Sequence, residues 1–490
     1  MRITLVTETW PPQINGVALT LASLASSLTQ LGHQVSVVRP RPAAGTLPDD
    51  DTASTATTKP ATDRKATAVA GAAKRLNTDS FSGTGANGSN SQLHELLLPG
   101  CRLPRYPGLH FGWPATGSIR RCWRQQRPDA VYIATEGPLG WAAQRAARSL
   151  AIPVVTGYHT RFDDYLGHYG LGLLTPLAQS WLRRFHNSAQ ATVVPTRELA
   201  GQLAQRGFRH VTLIGRSVDT RRFSPAHRDP ALRRSWGVAE DEPAIIHVGR
   251  LAPEKNLDLL LHSWHAINSQ RPGARLVVVG DGPERERLQR ENPEILFTGT
   301  LVGDDLARHY ASADVFLFPS LSETFGNVTM EAMASGLAVV AYAYGAAGQH
   351  IQSADLGRAI PCPVPVTGPE RSANSAHGAV AAMADADGDA CADAFIDAAL
   401  ELALDRPLRQ TIGARARQQM CQAAADNDIA ANHVALFQRL IVSGAPGPGQ
   451  RPPARGGAVT PGLAPGAPTV SLGAGPFQTD PLLSPPRTHQ

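Results

Sequence analysis

The sequence predicts an α/β protein built from two doubly wound parallel sheets, one in each of two domains. Short apolar runs typical of buried parallel strands recur along the chain and alternate with stretches of helical character. At 490 residues the chain is too long for one ordinary domain. Loops rich in glycine and other small residues follow most of the apolar runs. They would lie at the carboxyl edge of each sheet, where ligands bind in folds of this kind.

The first predicted domain spans residues 1–215 and opens with a strand, a helix and a second strand. The turn at Asn15-Gly16 comes before a helix predicted over Leu19–Leu31. This opening lacks the three-glycine dinucleotide pattern, which argues against an NAD-type site. The predicted strands of this domain include Ile3–Thr7, Gln34–Arg39, Asp129–Ala134, Pro153–Gly157, Ala191–Val194 and Val211–Ile214.

The second predicted domain spans residues 216–428 and repeats the alternation. A last amphipathic helix is predicted at 429–442 and is expected to pack back on the amino-terminal domain. The segments 42–92 and 443–490 contain few residues that could form a core, so a disordered insertion and a disordered Gly/Pro-rich tail are predicted there. The predicted strands are Ala244–Val248, Arg275–Val279, Ile295–Thr298, Val315–Phe318 and Ala338–Ala341, and the predicted helices include Asp393–Arg406 and Pro407–Ala425.

Composition favours a reduced, cytoplasmic protein. The five cysteines are scattered without metal or redox spacing, and neither a secretory signal nor an apolar run long enough to cross a membrane is recognised. The amino-terminal half is basic and the carboxy-terminal half acidic, which predicts contact with an anionic surface. A membrane at the inner face of the cell is the favoured partner, because no nucleic-acid-binding motif is present.

Two carboxylates mark the strongest candidate site. Glu323 follows the strand Val315–Phe318, and Glu331 lies within the helix that follows it. A strand end beside a helix amino terminus suits an anionic ligand. The alternative is one solvated and one helix-stabilising glutamate. The glycine between them favours a binding site.

Three further residues are candidates at strand ends. Arg250 and Lys255 follow the strand Ala244–Val248, where two cations five residues apart can hold a diphosphate. The alternative is a pair of solvated surface cations. His159 follows another strand end, and both a structural and a functional role are open for it.

These segments together resemble the retaining glycosyltransferases of family 4, which have the GT-B fold of two Rossmann-like domains facing a central cleft. The similarity is greatest to the branch with GDP-mannose-dependent mannosyltransferases and sulfoquinovosyltransferase-like enzymes. It covers about residues 1–40 and 95–350. The segments that carry it are TETWPPQINGVA, ATEGPLGW, GYHTRFDDY, VGRLAPEKNLDLLL, VGDGPE, FTGTL and SETFGNVTMEAMASG.

The resemblance implies a role for each matching residue. Arg250 and Lys255 would hold the donor diphosphate, Glu331 the nucleotide ribose, and Glu323 the donor sugar, with His159 beside the transferred sugar. The remaining donor-binding positions that it implies are Gly16 near the phosphates, Phe325, Gly326 and Asn327 at the sugar and distal phosphate, and Gly299, Thr300 and Leu301 against the base.

The implied activity is transfer of a hexosyl group, with mannose from GDP-mannose as the best choice and a UDP-sugar as the other donor considered. The acceptor would be a lipid or a glycan. No Asp-x-Asp motif stands where a metal would be needed, so a metal-independent reaction with no cofactor is expected. The alternatives are a nucleotide-sugar epimerase of the same architecture, a non-catalytic nucleotide-sugar-binding module and a membrane-surface scaffold.

Overall fold

The computed structural model describes residues 1–13, 15–41, 93–102, 110–159, 175–361 and 386–444. The predicted insertion at 42–92 lies outside these residues. So do residues 445–490 of the predicted tail and the acidic pair Asp163-Asp164. Within these described ranges, no helix is both long and apolar enough to cross a membrane.

The first sheet has seven parallel strands in the order β3-β2-β1-β6-β7-β8-β9. The strand order reverses between β1 and β6, so ligands are expected beyond the carboxyl ends of those two strands. A short antiparallel hairpin, β4-β5, lies outside this sheet. The strands of this part of the chain are β1 (Arg2–Val6), β2 (Gln34–Pro40), β3 (His94–Leu98), β4 (Gly100–Arg102), β5 (His110–Gly112), β6 (Ala130–Ile133), β7 (Val154–Gly157), β8 (Ala191–Val194) and β9 (Val211–Leu213).

The second sheet has six parallel strands in the order β12-β11-β10-β13-β14-β15. Its order reverses between β10 and β13, which places the loops after these two strands side by side. Its strands are β10 (Ala244–Val248), β11 (Arg275–Val279), β12 (Leu296–Gly299), β13 (Val315–Phe318), β14 (Ala338–Tyr342) and β15 (Arg358–Ile360).

Helices cover both faces of each sheet, because strands buried on both sides need an apolar layer above and below. The helices are α1 (Gly16–Gln30), α2 (Thr116–Gln125), α3 (Pro138–Ser149), α4 (Thr175–His186), α5 (Arg197–Gln205), α6 (Pro230–Ser235), α7 (Leu257–Gln270), α8 (Arg285–Glu291), α9 (Gly303–Ser312), α10 (Asn327–Ala334), α11 (Gly345–His350), α12 (Ala386–Leu404), α13 (Arg406–Asp426) and α14 (Ile429–Val442).

The last helix, α14, lies against the first sheet although the chain reaches it from the second. Ala430, Leu436 and Phe437 are buried in the same apolar cluster as Leu5 of β1 and Leu21 of α1. The preceding helix, α13, contributes to the apolar clusters of the second sheet. The chain therefore crosses between the two sheets a second time near residue 428.

Several boundaries differ from the sequence prediction. Helix α1 begins at Gly16 rather than Leu19, because the Asn15 side chain accepts a hydrogen bond from the Ala18 amide at 2.9 Å and caps the helix there. Helix α12 begins at Ala386 rather than Asp393. The strands β3 and β15 and the antiparallel pair β4-β5 were not predicted. Of these, β4, β5 and β15 have only three residues each, and so short a segment carries little pattern.

Candidate active site

The loop after β10 is held by backbone contacts with the loop after β11. A Cβ on Gly280 would lie 1.9 Å from the Gly249 carbonyl oxygen, and one on Gly282 would lie 2.2 Å from that of Leu251. The Leu251 amide donates to the carbonyl of Asp281 at 2.9 Å. A side chain at either glycine would keep the two loops apart. Glycine at positions 280 and 282 therefore lets the loop that carries Arg250 lie against the loop after β11.

Lys255 and Glu323 form an ion pair across the switch point of the second sheet. Lys255 ends a single 3₁₀ turn, and Glu323 lies in the loop after β13. Their side chains are 13% and 17% exposed. Ser320 supports the pair, since its Oγ donates to Glu323 Oε1 at 3.0 Å and lies 3.4 Å from Lys255 Nζ. Arg250 lies on the same loop as Lys255 and is exposed.

The segment from Phe325 to Asn327 presents a helix amino terminus at this pair. Gly326 adopts a left-handed conformation with φ of +86° and precedes α10 directly. No side chain in the described part of the chain caps this helix, so its first amides are suited to an anion. The Phe325 carbonyl accepts a 2.6 Å hydrogen bond from the Ala346 amide, which holds the segment against the first turn of α11.

Glu331 lies one turn into α10 with its carboxyl group largely buried. The hydroxyl of Tyr310 donates to Glu331 Oε2 at 3.1 Å. Burial raises the pKa of Glu331 to about 7, and the hydrogen bond from Tyr310 opposes this shift without cancelling it. The carboxyl group therefore holds a proton up to a higher pH than an exposed glutamate does.

The loop after β12 completes this edge of the second sheet. Gly299 ends the strand with φ of +77°, and its carbonyl accepts a hydrogen bond from the Gly280 amide at 2.8 Å. Thr300 is exposed, and Leu301 packs partly against the apolar core. These three residues thus border the same strand ends as the loop of Arg250.

His159 follows β7 of the first sheet and uses both ring nitrogens within the protein. Its Nε2 lies 2.8 Å from the Tyr132 hydroxyl, and its Nδ1 lies 2.9 Å from Nη2 of Arg216. Burial, followed by the charge of Arg216, holds the pKa of His159 well below its usual range. The imidazole is therefore neutral.

Arg216 joins residues of both domains and was not recognised as a site residue from the sequence, where it marked only the domain crossing. Its guanidinium carbon lies 5.7 Å from the centroid of the Phe325 ring, and its Nη1 donates to Thr20 Oγ1. Burial lowers the pKa of Arg216 to about 10, which still leaves it charged at neutral pH. Tyr132 and Tyr310 were also missed, because tyrosines within apolar segments predict core packing.

Thr20 connects the two sides of the cleft. Its hydroxyl donates to the carbonyl of Gly16 at 2.6 Å and lies 3.4 Å from Nδ2 of Asn327, besides accepting from Arg216. A Cβ on Gly16 would meet no atom within 4 Å, so the first turn of α1 borders open space. Through Thr20 and Arg216, Gly16 and His159 of the first domain thus lie beside Phe325 and Asn327 of the second.

Comparison with known proteins gives the family. The model for "Glycosyltransferase Family 4" matches residues 14–222, and the model for "Glycosyl transferases group 1" matches residues 242–400. The GDP-mannose-dependent alpha-mannosyltransferase of Mycobacterium tuberculosis is 34% identical over 343 residues, which span 70% of this chain and 79% of that protein. The chain belongs to glycosyltransferase family 4. The predicted family and the predicted enzyme class are therefore confirmed.

Two further similarities describe this glycosyltransferase. The alpha-monoglucosyldiacylglycerol synthase of Streptococcus pneumoniae is 25% identical over 358 residues, covering 70% of this chain and 71% of that protein. The sucrose-phosphate synthase of Thermosynechococcus elongatus superposes with a TM-score of 0.64 at 17% identity, over 90% of this chain and 99% of that one. The structural similarity confirms the predicted GT-B fold class.

Proposed function

We propose that this glycosyltransferase transfers mannose from GDP-mannose to a lipid or glycan acceptor with retention of anomeric configuration. The proposed donor site rests on one observation. Lys255, Glu323 and the first turn of α10, which no side chain of the described residues caps, lie together at the switch point of the second sheet. A nucleoside diphosphate placed there would face the Lys255 cation and the amino terminus of α10. The choice of mannose rests on the mycobacterial relative, and a lipid acceptor on the streptococcal one.

In this proposal the protein stabilises the leaving group and supplies no nucleophile. The acceptor hydroxyl forms a bond to the anomeric carbon on the face that the diphosphate leaves. The bond from that carbon to the phosphate oxygen breaks, its electron pair stays on the diphosphate, and the acceptor proton passes to a phosphate oxygen. Arg250 and Lys255 stabilise the developing negative charge, and Glu323 positions the sugar and Lys255.

We also propose that the reaction needs neither a metal ion nor a cofactor. Within the described residues, no group of three or more His, Cys, Asp or Glu side chains is arranged to hold a metal. Two cations and a helix amino terminus would supply positive charge at the leaving group instead.

The proposal is tested by thermal denaturation with GDP-mannose, GDP, UDP-glucose and ADP-glucose, each with Mg²⁺ and with EDTA. A ligand at 100 times its Kd stabilises the folded protein by about 2.7 kcal/mol. We expect GDP-mannose to raise Tm equally with Mg²⁺ and EDTA, and added lipid or glycan acceptors to release GDP. Stabilisation by UDP-glucose alone would refute the donor assignment, and release of an epimer without acceptor would favour an epimerase.

Donor affinity should depend on the ionisation of Glu331. The pKa of Glu331 is about 7, so its carboxyl group is mainly protonated at pH 6 and mainly ionised at pH 8. Ribose hydroxyls donate best to the ionised form. We therefore expect the Kd of GDP-mannose to fall as pH rises from 6 to 8, measured by titration calorimetry; unlike the terminal phosphate of GDP, the diphosphate of the donor does not titrate in this range. Glu331→Gln should bind more weakly at pH 8 and lose this pH dependence; a wild-type Kd that stays constant would contradict the assignment.

We further propose peripheral association with an anionic membrane surface through α4. Leu177, Trp181 and Arg184 recur at helical spacing and are exposed, with Leu177 70% and Trp181 40% accessible. An apolar stripe beside a basic side chain suits the interface of an anionic bilayer. This would place the enzyme at the inner face of the cell membrane.

Vesicle flotation tests this surface. Wild type should float with phosphatidylglycerol-containing vesicles and less with neutral ones. The double variant Trp181→Ser/Arg184→Gln should float less, whereas Arg290→Gln on exposed helix α8 should behave as wild type. Equal flotation of wild type with neutral and anionic vesicles would contradict an electrostatic contribution.

A further inference from the structure

The protons around His159 can be assigned from the hydrogen-bond partners alone. An arginine can only donate, so Nδ1 of His159 accepts from Arg216 at 2.9 Å. A neutral imidazole carries one proton, which therefore resides on Nε2. The 2.8 Å contact between Nε2 and the Tyr132 hydroxyl is consequently a bond in which His159 donates and the hydroxyl oxygen accepts.

This assignment leaves the hydroxyl proton of Tyr132 without an acceptor in the described residues. Tyr132 is 1% exposed, and a buried hydroxyl that does not donate is costly. A Cβ on Gly157 would lie 2.2 Å from the hydroxyl oxygen and 2.4 Å from His159 Nε2, so this glycine gives the pair its space. The proton of Tyr132 must point away from His159.

His433 of α14 presents the complementary group. Its ring meets the Tyr132 ring edge-on, with centroids 5.4 Å apart and planes at 74°. Its Nδ1 donates to the Ile429 carbonyl at 2.7 Å, because a carbonyl can only accept. The residue is 4% exposed, and burial lowers the pKa of His433 to about 4, so the ring is neutral. Its Nε2 is therefore an acceptor, and it has no partner within the described chain.

We propose that His433 is a positioning residue for sugar transfer: its Nε2 accepts from one intervening water molecule that takes the hydroxyl proton of Tyr132, and so orients the hydroxyl oxygen toward His159. The series Arg216–His159–Tyr132–His433 then has a donor for every acceptor. It spans from the domain crossing to the terminal helix, which links α14 to His159, the residue expected beside the transferred sugar. This inference rests on the proposed role of His159 at the sugar.

The test compares three single variants and one double variant in a transfer assay with the donor that stabilises the wild-type protein. His433→Phe keeps a ring against Tyr132 but loses the acceptor, whereas His433→Gln keeps an oxygen that can accept. We expect His433→Phe to lower kcat by about tenfold with little change in the KM of the donor, and His433→Gln to recover most of it. Tyr132→Phe should lower kcat similarly, and adding His433→Phe to it should cause no further loss.

His309→Phe is a matched control. His309 lies in α9, is 7% exposed, and its Nδ1 contacts the Asp305 carbonyl at 2.7 Å, so it repeats the local bonding of His433 away from His159. We expect this variant to retain wild-type kcat. Unchanged kcat in His433→Phe, or an equal loss in the presence and absence of the Tyr132 hydroxyl, would overturn the inference.

A second measurement does not depend on turnover. In protein labelled with ¹⁵N-histidine, Tyr132→Phe should shift the Nε2 resonance of His433 and leave its Nδ1 resonance nearly in place. An unshifted Nε2 resonance would overturn the inference even if the proposed donor is correct. A shifted resonance would support it even if the enzyme uses another nucleotide sugar.

Discussion

Replacing Lys255 by alanine is expected to lower kcat by about 10²–10³-fold, the usual effect of removing one preorganised donor to developing negative charge. The loss should be large because Lys255 is mostly buried and paired with Glu323. Its removal also leaves that carboxylate without its cation, beside the site proposed for the diphosphate. The measurement is the initial rate of nucleotide release with saturating donor and acceptor.

Three comparison variants make the expected loss specific. Arg250→Ala should show a loss of similar size, and Glu323→Gln a clear but smaller one. Arg287→Ala removes a cation paired with Asp258 of α7, Glu291 of α8 and Glu284 just before α8, and should retain wild-type kcat. Near-wild-type kcat in both Lys255→Ala and Arg250→Ala would refute the proposed diphosphate clamp.

Replacing Gly280 by alanine is expected to destabilise the protein by about 3 kcal/mol. The backbone there has φ of +140°, and a Cβ would lie 1.9 Å from the Gly249 carbonyl oxygen. The two loops must separate, which displaces Arg250. Thermal denaturation should show Tm lowered by roughly 10 °C, and the Kd of the donor should rise.

The matched control is Gly201→Ala. Gly201 lies inside α5, and a Cβ there would meet no neighbouring atom within 4 Å. Alanine should stabilise that helix by about 0.5–1 kcal/mol, since it restricts the unfolded chain more than glycine does. If Gly280→Ala matched Gly201→Ala in Tm, close packing of the two loops would not be the reason for the glycine.

The second sheet illustrates what the sequence can predict. Short apolar runs such as Val315–Phe318 predict the strands, and the small-residue loops after them predict the edge at which ligands bind. Which loops become neighbours depends on strand order, which no local pattern encodes. The Lys255–Glu323 ion pair forms because β10 and β13 are neighbours in the sheet. The sequence therefore predicts both as site residues but not that they pair.

The first sheet illustrates what the sequence could not predict. Arg216 looked like one basic residue at a domain crossing, since its partners Thr20 and His159 are distant along the chain. The last helix is expected from the sequence to pack on the amino-terminal domain, but its pattern does not predict that His433 meets Tyr132 there. Both residues act through contacts between distant segments, and single-sequence patterns report only local periodicity.

Because α14 packs on the first sheet, the first domain can complete its folding only after the whole of both domains has been synthesised. Leu436 and Phe437 complete an apolar cluster whose other members include Leu5 and Leu21. A ribosome releases the amino-terminal sheet hundreds of residues before it releases this helix. One apolar surface of that sheet therefore stays exposed while the second domain is synthesised and folds. The first domain to emerge is the last to finish.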